Sequence, residues 1–259
     1  VVAELGPIIT GYEAELSGYP EREWFRTTMS AILSCTGAGV PEKKAGWSLL
    51  FDGSDMKGWR GYKRQDAVGT RWKVENGMLS VDPADGKDTR GALDIISKET
   101  YDQFELTWDW RAAQGANSGV KYFVLEDQDA AIGHEYQVID DERHADAKIG
   151  PHRQTAALYD VLPAANRPIK PAGEWNTSKV VVKGNTVEHY LNGTKVLTYE
   201  LDSPALKAAI AKSKFKDVAR FGKLHKAHIL LQDHGDNVCY RNIKIKPAAK
   251  GAAKPTSQQ

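Results

Sequence analysis

The segment Phe104-Glu105-Leu106-Thr107-Trp108-Asp109-Trp110-Arg111 constrains this chain most, because every even position is apolar and every odd one polar or charged. A period of two over eight residues lays one row of side chains on a dry face and the other toward water. That is an antiparallel strand with one buried face, and no amphipathic helix satisfies the pattern. The same reading predicts strands over Trp47–Phe51, Trp72–Glu75, Met78–Val81, Ala92–Ile96, Gly119–Leu125, Glu135–Ile139, Lys179–Lys183, Thr186–Leu191, Lys195–Glu200, His228–Gln232 and Val238–Lys246. Asn76-Gly77, Gly184-Asn185 and Asn192-Gly193 fall between consecutive strands and supply the positive φ angles of tight hairpins. One interior helix is expected from Ser203-Pro204 to Lys214, with Ser203 as N-cap and Pro204 at the first helical position. A chain of short strands with almost no helix excludes a doubly wound sheet, and no Gly-x-Gly-x-x-Gly or Walker-type loop follows any strand. The expected fold is therefore all-β, a jelly-roll sandwich of two antiparallel sheets.

Three regions follow. Residues 1–45 carry Leu16, Trp24, Phe25, Met29, Ile32 and Leu33 at spacings that suggest short helices broken at Gly18-Tyr19-Pro20, an N-terminal helical extension. Residues 46–246 hold the strands, and residues 247–259, rich in Ala, Lys, Pro, Ser and Gln, are expected to be a disordered tail. Ile32-Leu33-Ser34-Cys35 resembles a bacterial lipoprotein cleavage box but lacks the long apolar run before it. With 35 Lys+Arg against 34 Asp+Glu, no global field favours a nucleic-acid partner. The apolar stretches, Ala31–Leu33 and His228–Leu231 among the longest, fall far short of the roughly 20 residues that span a bilayer. Cys35 and Cys239 cannot build a disulfide framework or a Cys-based zinc site.

Polar groups crowd between Glu126 and Arg153, where His134, His144 and His152 lie, and His234 arrives from a distant strand. In His134-Glu135-Tyr136-Gln137-Val138-Ile139, the side chains of Glu135, Gln137 and Ile139 share one face and Tyr136 and Val138 the other. For a strand taken alone, a solvated face is the simpler reading. Its neighbours argue for a site: Asn117-Ser118-Gly119 enters one strand, Asp140-Asp141-Glu142-Arg143-His144 leaves another, and Gln232-Asp233-His234-Gly235 ends a third.

Taken in order, Leu50-Phe51-Asp52-Gly53 with Gly58-Trp59, Asn117-Ser118-Gly119, Glu135 to Asp141, Trp175-Asn176, Leu191-Asn192-Gly193, Ile229 to Gly235 and Arg241-Asn242-Ile243 resemble the 3-keto-disaccharide hydrolase family. The resemblance spans Trp47 to Lys246. It implies a concanavalin A-like jelly roll, a bacterial protein exported to the periplasm or beyond, and cleavage of glycosides whose sugar is oxidised at carbon 3. Ala156-Ala157-Leu158-Tyr159 departs from the pattern, which has a Gly-containing segment before the Tyr. The strand at 135 also resembles the active-site strand of laminarinase-type endoglucanases. Two of that strand's three acids differ here, and positions 135 and 140 fall on opposite faces unless a bulge intervenes, which disfavours a carboxylate pair about 5 Å apart for retaining hydrolysis.

In a 3-keto sugar the ketone acidifies the hydrogen on carbon 2, and the glycosidic oxygen lies β to the carbonyl, so elimination followed by water addition cleaves the bond. The catalytic candidates are Glu135, Asp140, Asp141, His144 and His234. His144 or His234 is expected to carry the proton, oriented by Asp141 or Asp233, with Glu135 as base or metal ligand. The pattern demands no cofactor. A divalent metal ion held by Glu135, an Asp and a His, Glu135 and His144 being the first candidates, would serve as Lewis acid on the ketone. Asn117, Gln137, Arg153, Tyr159, Trp175, Asn176 and Gln232 are candidates for binding a carbohydrate substrate, whereas Trp108 and Trp110 belong to the core. Two other functions fit the same face: a non-catalytic carbohydrate-binding module and an ordinary retaining β-glucanase.

Overall fold

In the computed structural model, which describes residues 46–65, 68–82 and 93–248, the predicted alternation becomes two antiparallel sheets. The strands are β1 (Ser48–Phe51), β2 (Trp59–Gly61), β3 (Trp72–Glu75), β4 (Met78–Val81), β5 (Ile95–Ser97), β6 (Phe104–Ala112), β7 (Asn117–Val124), β8 (His134–Ile139), β9 (Asn176–Lys183), β10 (Thr186–Leu191), β11 (Thr194–Glu200), β12 (His228–Leu231) and β13 (Val238–Pro247). One sheet runs β11-β10-β9-β6-β13-β4-β3, with β1 paired to β13; the other runs β2-β5-β12-β7-β8. Together they make the jelly-roll β-sandwich expected from the sequence.

The even positions of β6 show how pattern becomes packing. Phe104, Leu106, Trp108 and Trp110 are all buried. Trp108 meets Tyr136 of β8 edge to face at 5.0 Å, and Phe104 meets Tyr122 of β7 at 6.2 Å. These offset aromatic contacts cross from one sheet to the other, so β6 defines the inter-sheet core. Tight turns set the register. Asn76 and Gly77 join β3 to β4 with φ of 52° and 74°, and Asn192 and Gly193 join β10 to β11 with 46° and 84°, the two left-handed residues a two-residue hairpin needs.

Where expectation and structure differ, the causes are local. Strand β2 was not predicted, since three residues are too few to show a period. The helix α1 (Pro204–Ile210) keeps its Ser203 cap but stops short of Lys214, because Ser213 and Phe215 turn inward and bury. Strand β13 runs into the predicted tail as far as Pro247. The expected extension over residues 1–45, its Ile32–Cys35 box, the start of a strand at Ala92 and the tail beyond Ala248 lie outside the described residues. No described helix is long and apolar enough to cross a membrane.

Candidate active site

Strands β7 and β8 pair so that Asn117, Gly119 and Lys121 stand opposite Ile139, Gln137 and Glu135. Tyr136 and Val138 enter the core, as parity requires, so Glu135 and Gln137 face away from it. That outer face is roofed rather than solvated: Glu135 is 5% exposed and Gln137 0%. The roof starts from the segment after residue 155, which runs along the free edge of β8. Ala156 N–H donates to Gln137 O (2.9 Å), Gln137 N–H to Ala157 O (3.3 Å) and Tyr159 N–H to Glu135 O (3.0 Å). Ala156 makes this path possible by adopting φ 67°, the left-handed conformation that glycine favours. The Gly-containing pattern expected before Tyr159 is thus replaced by an alanine holding a glycine-like turn.

The Glu135 carboxylate lies across Gly119, where an added Cβ would come within 2.5 Å of Glu135 Oε1. Lys121 Nζ stands 3.7 Å from the other carboxylate oxygen. With the Gln137 amide turned so that both its ends are satisfied, its NH2 donates to Ser118 O (2.9 Å) and to Glu135 Oε1 (3.2 Å). Beside this group Asp94 is buried, and desolvation raises its carboxyl to about 6 despite the nearby Lys121. The Lys214 ammonium rests 4.2 Å from the centre of the Tyr159 ring.

Farther along β7, Asn117 leads to the histidines. Its Nδ2 faces His234 Nε2 at 3.4 Å, and its backbone N–H donates to Asp236 Oδ2 (3.0 Å). Asp236 Oδ2 in turn lies 3.6 Å from His234 Nδ1. Burial works against the Asp236 charge, but the interactions with His234 and Asn117 outweigh it and hold its carboxyl low. An amide donor at Nε2 and a carboxylate at Nδ1 put the His234 proton on Nδ1 and turn the Nε2 lone pair toward Asn117 Nδ2. His144 is arranged the other way. Asp146 N–H donates to its Nδ1 (3.1 Å), so the neutral ring carries its proton on Nε2. Burial, reinforced by His234, depresses its pKa. The two rings stand edge to face with centres 5.7 Å apart. Asn117 Oδ1 and Gln232 Oε1, both buried, have no partner among the described residues. Two residues of strand, about 7 Å, separate Asn117, beside His234, from Gly119, beside Glu135, on the same face.

Of the sequence candidates, Glu135, Gln137, Asn117, His234, His144 and Gln232 therefore meet on this face. Arg153 and Tyr159 join through Asp146: Arg153 Nη1 donates to Asp146 Oδ1 (2.6 Å) and Tyr159 OH to Asp146 Oδ2 (2.8 Å), while Arg153 Nε donates to Asp160 (2.7 Å). Four expectations require correction. Asp140 follows the last residue of β8, and its carboxylate closes the turn by accepting from Gly115 N–H (2.8 Å) and Glu142 N–H (3.0 Å). Asp141 accepts from Thr155 N–H (2.8 Å) and pairs with Arg167, and Asp233 pairs with Arg71 (2.5 Å) and Gly235 N–H (3.0 Å), so the carboxylate beside His234 Nδ1 is neither of these but Asp236. Trp175 stacks with Arg241 (4.1 Å) and Arg111 (5.0 Å), residues on the outer face of the other sheet, and so lies on the opposite side of the sandwich. Asn176 is buried, its Oδ1 accepting from Lys170 N–H (3.0 Å) and Asn192 Nδ2 (2.8 Å), which ties a loop to a hairpin.

The metal expectation also changes membership. Among the described residues the donor atoms that converge, all within 4.8 Å of one another, belong to His144, His234 and Asp236, not to Glu135 with its lysine neighbour. This is a two-histidine, one-carboxylate set that suits a transition-metal ion. The second sphere fits poorly, since a ligating imidazole normally donates its far N–H, and His144 Nδ1 instead accepts one. Sequence reasoning missed Asp236, Lys121, Asp94 and Asp146. Lys121 was detectable as a charge inside an otherwise apolar strand with the parity that faces Glu135; Asp236 sits two residues past His234; Asp94 and Asp146 carried no signal.

Residues 46–246 match the sequence profile of the 3-keto-alpha-glucoside-1,2-lyase-like domain. The chain belongs to this family. A 3-keto-disaccharide hydrolase of Bacteroides thetaiotaomicron is 36% identical to it over 233 residues, 80% of each chain. Two crystal structures from Parabacteroides distasonis, each named for a glycosyl hydrolase, share the fold. One has a TM-score of 0.71 at 30% identity over 82% of this chain and 98% of its own; the other has 0.57 at 26% over 78% and 98%. The matched region of the 3-keto-alpha-glucoside-1,2-lyase-like domain begins at the first described residues and ends within β13, so it contains both sheets and every group of the cleft. Its kinship is with glycoside-cleaving enzymes.

Proposed function

We propose that the chain cleaves 3-keto-glycosides by eliminating the aglycone across carbons 1 and 2 and then adding water. The observation that carries this reading is the opposed protonation of two adjacent imidazoles: His234 offers a lone pair backed by Asp236, and His144 offers an N–H backed by a main-chain donor. Once the bound sugar displaces the long Asn117 contact, His234 Nε2 takes the carbon-2 proton, and the C–H electrons pass into an enolate whose oxygen at carbon 3 is held by His144 Nε2–H. A neutral imidazole is suited to that task, because its N–H stabilises an enolate oxygen without surrendering a full proton. The enolate then re-forms the ketone as a double bond forms between carbons 1 and 2 and the bond from carbon 1 to the leaving oxygen breaks. The departing oxygen takes a proton from solvent. Glu135, on the same face, accepts the proton that water loses as it adds to carbon 1, and His234 returns its proton to carbon 2. The unpartnered Asn117 Oδ1 and Gln232 Oε1 accept sugar hydroxyls, and Tyr159 and Arg153 border the ring.

Retaining β-glucanase chemistry is disfavoured because the second acid it needs, Asp140, is committed to closing a turn. A second reading draws on the convergence of His144, His234 and Asp236: these would hold a divalent cation that polarises the ketone. The deciding experiment incubates the protein with a 3-keto-disaccharide and with its unoxidised parent in deuterated water, with and without chelator. Release only from the keto compound, with deuterium at carbon 2 of the product, is expected, and chelator should leave the rate unchanged. Loss of activity on chelation with recovery on adding a divalent metal would replace the neutral-imidazole role by the cation. Binding without any release would make the protein a carbohydrate-binding module.

A further inference from the structure

Among the histidines that take no part in this chemistry, His134 and His189 sit between the sheets at 2% and 0% exposure. Their hydrogen bonds can be assigned from both ends. Gly222 N–H donates to His134 Nε2 (2.9 Å), so His134 Nδ1 carries the proton and donates to Tyr199 OH (2.8 Å). At the far end His189 Nδ1 faces Ala156 O (2.8 Å), a group that only accepts, so His189 Nε2 must accept from Tyr122 OH (2.8 Å). The remaining bond, Tyr199 to Tyr122 at 2.6 Å, then runs in that direction. Both imidazoles are neutral, burial pressing them to about 3 at His134 and about 4 at His189. Every buried polar group in the row is satisfied, and the row terminates on the one residue of the site's roof that holds a left-handed conformation, Ala156.

From Ala156 the connections run directly to the cleft. Its N–H bonds Gln137 O, Tyr159 N–H bonds Glu135 O, Tyr159 OH bonds Asp146, and Asp146 N–H bonds His144. We propose that His189, from inside the sandwich, is a positioning residue for the active site: its Nδ1–H bond to Ala156 O holds the turn that lays residues 156–159 along β8 and so places Glu135, Tyr159 and the support of His144. This rests on the catalytic reading given above for that face. His134 serves as the internal comparison, because it belongs to the same buried row but ends on Gly222, away from the roof.

The test compares His189→Leu, His189→Asn and His134→Leu by steady-state kinetics on a 3-keto-disaccharide and by amide hydrogen exchange over residues 154–160, measured without substrate. For His189→Leu, kcat should fall about tenfold or more with KM within about threefold, as expected when catalytic groups shift without losing substrate contacts. Protection over 156–159 should fall with it. His189→Asn, whose amide N–H falls where Nδ1 stood and reaches Ala156 O, should restore most of both. His134→Leu should lower thermal stability but keep roof protection, and kcat per folded molecule should stay within about threefold. Wild-type exchange and kcat in His189→Leu, or equal losses in His134→Leu, would overturn the proposal. If His189→Leu does not fold, His189→Gln, whose amide takes the place of Nε2 beside Tyr122 and leaves Ala156 O without its donor, must show the same loss of protection. A wild-type protein that leaves the keto-disaccharide intact would defeat the catalytic reading alone, since the exchange comparison still decides the positioning role.

Discussion

At position 119 a single methyl group separates a working cleft from a displaced one. A Cβ there would sit 2.5 Å from Glu135 Oε1 and 2.9 Å from its Cγ, so Gly119→Ala forces that side chain off its place between Lys121 and Gln137. Because misplacing a reacting group by an ångström costs on the order of 100-fold, kcat/KM should drop by roughly 10- to 100-fold. Thermal unfolding should change little, since the clash falls on a flexible side chain. Asp236→Asn tests the partner that sequence proximity misassigned: the amide cannot anchor the Nδ1 proton as a carboxylate does, and kcat should fall by roughly 10- to 1,000-fold. The same change at Asp233 should lower stability through Arg71 and the Gly235 turn instead, and equal kinetic effects at the two positions would contradict the assignment. At Ala156 strain is relieved by Ala156→Gly, which should stabilise the fold by up to about 1 kcal/mol in urea titration after the greater flexibility of glycine in the unfolded chain is deducted.

Elements were legible wherever one rule governed several residues at once. Alternation along β6, and Asn-Gly pairs with both residues at positive φ, determine strands and register before any tertiary contact is considered. Hence Asn192→Ala should cost about 2–3 kcal/mol in equilibrium unfolding: it removes a residue that tolerates φ 46° together with bonds to Thr177 N–H, Pro168 O and Asn176 Oδ1. Asn76→Ala should cost less. Parity also foretold that Glu135 and Gln137 project together. It could not foretell that they would be roofed, because the roof is an irregular segment joined to β8 by main-chain bonds that leave no trace in side-chain pattern. Trp175 was misread for a related reason. The face on which a residue at a strand's edge lies depends on which sheet its strand joins, and that is settled by distant partners on β6 and β13. Choosing among Asp141, Asp233 and Asp236 required knowing where arginines 71 and 167 arrive, a tertiary fact.

Over the whole molecule, the neutral His134 and His189 make stability depend on pH. Each has a folded pKa far below the unfolded value near 6.5, so the unfolded chain binds protons that the native state refuses. Their contribution is complete above pH 6.5 and declines as pH falls from there toward about 4 at His189 and about 3 at His134. Between pH 7 and 5 the two together should remove about 4 kcal/mol of unfolding free energy. Chemical unfolding across that range is the check: a folded, active His189→Asn should show a visibly shallower slope, and an unchanged slope would mean that other groups dominate.

The segment that covers Glu135 and Gln137 also has a bearing on solubility. Strand β8 ends its sheet, and a bare terminal strand is a template on which another chain can add. Residues 156–159 occupy those main-chain positions from within the same molecule. A variant that loosened this cover to admit bulkier substrates would therefore unveil a sticky backbone edge, and wider specificity would come with self-association.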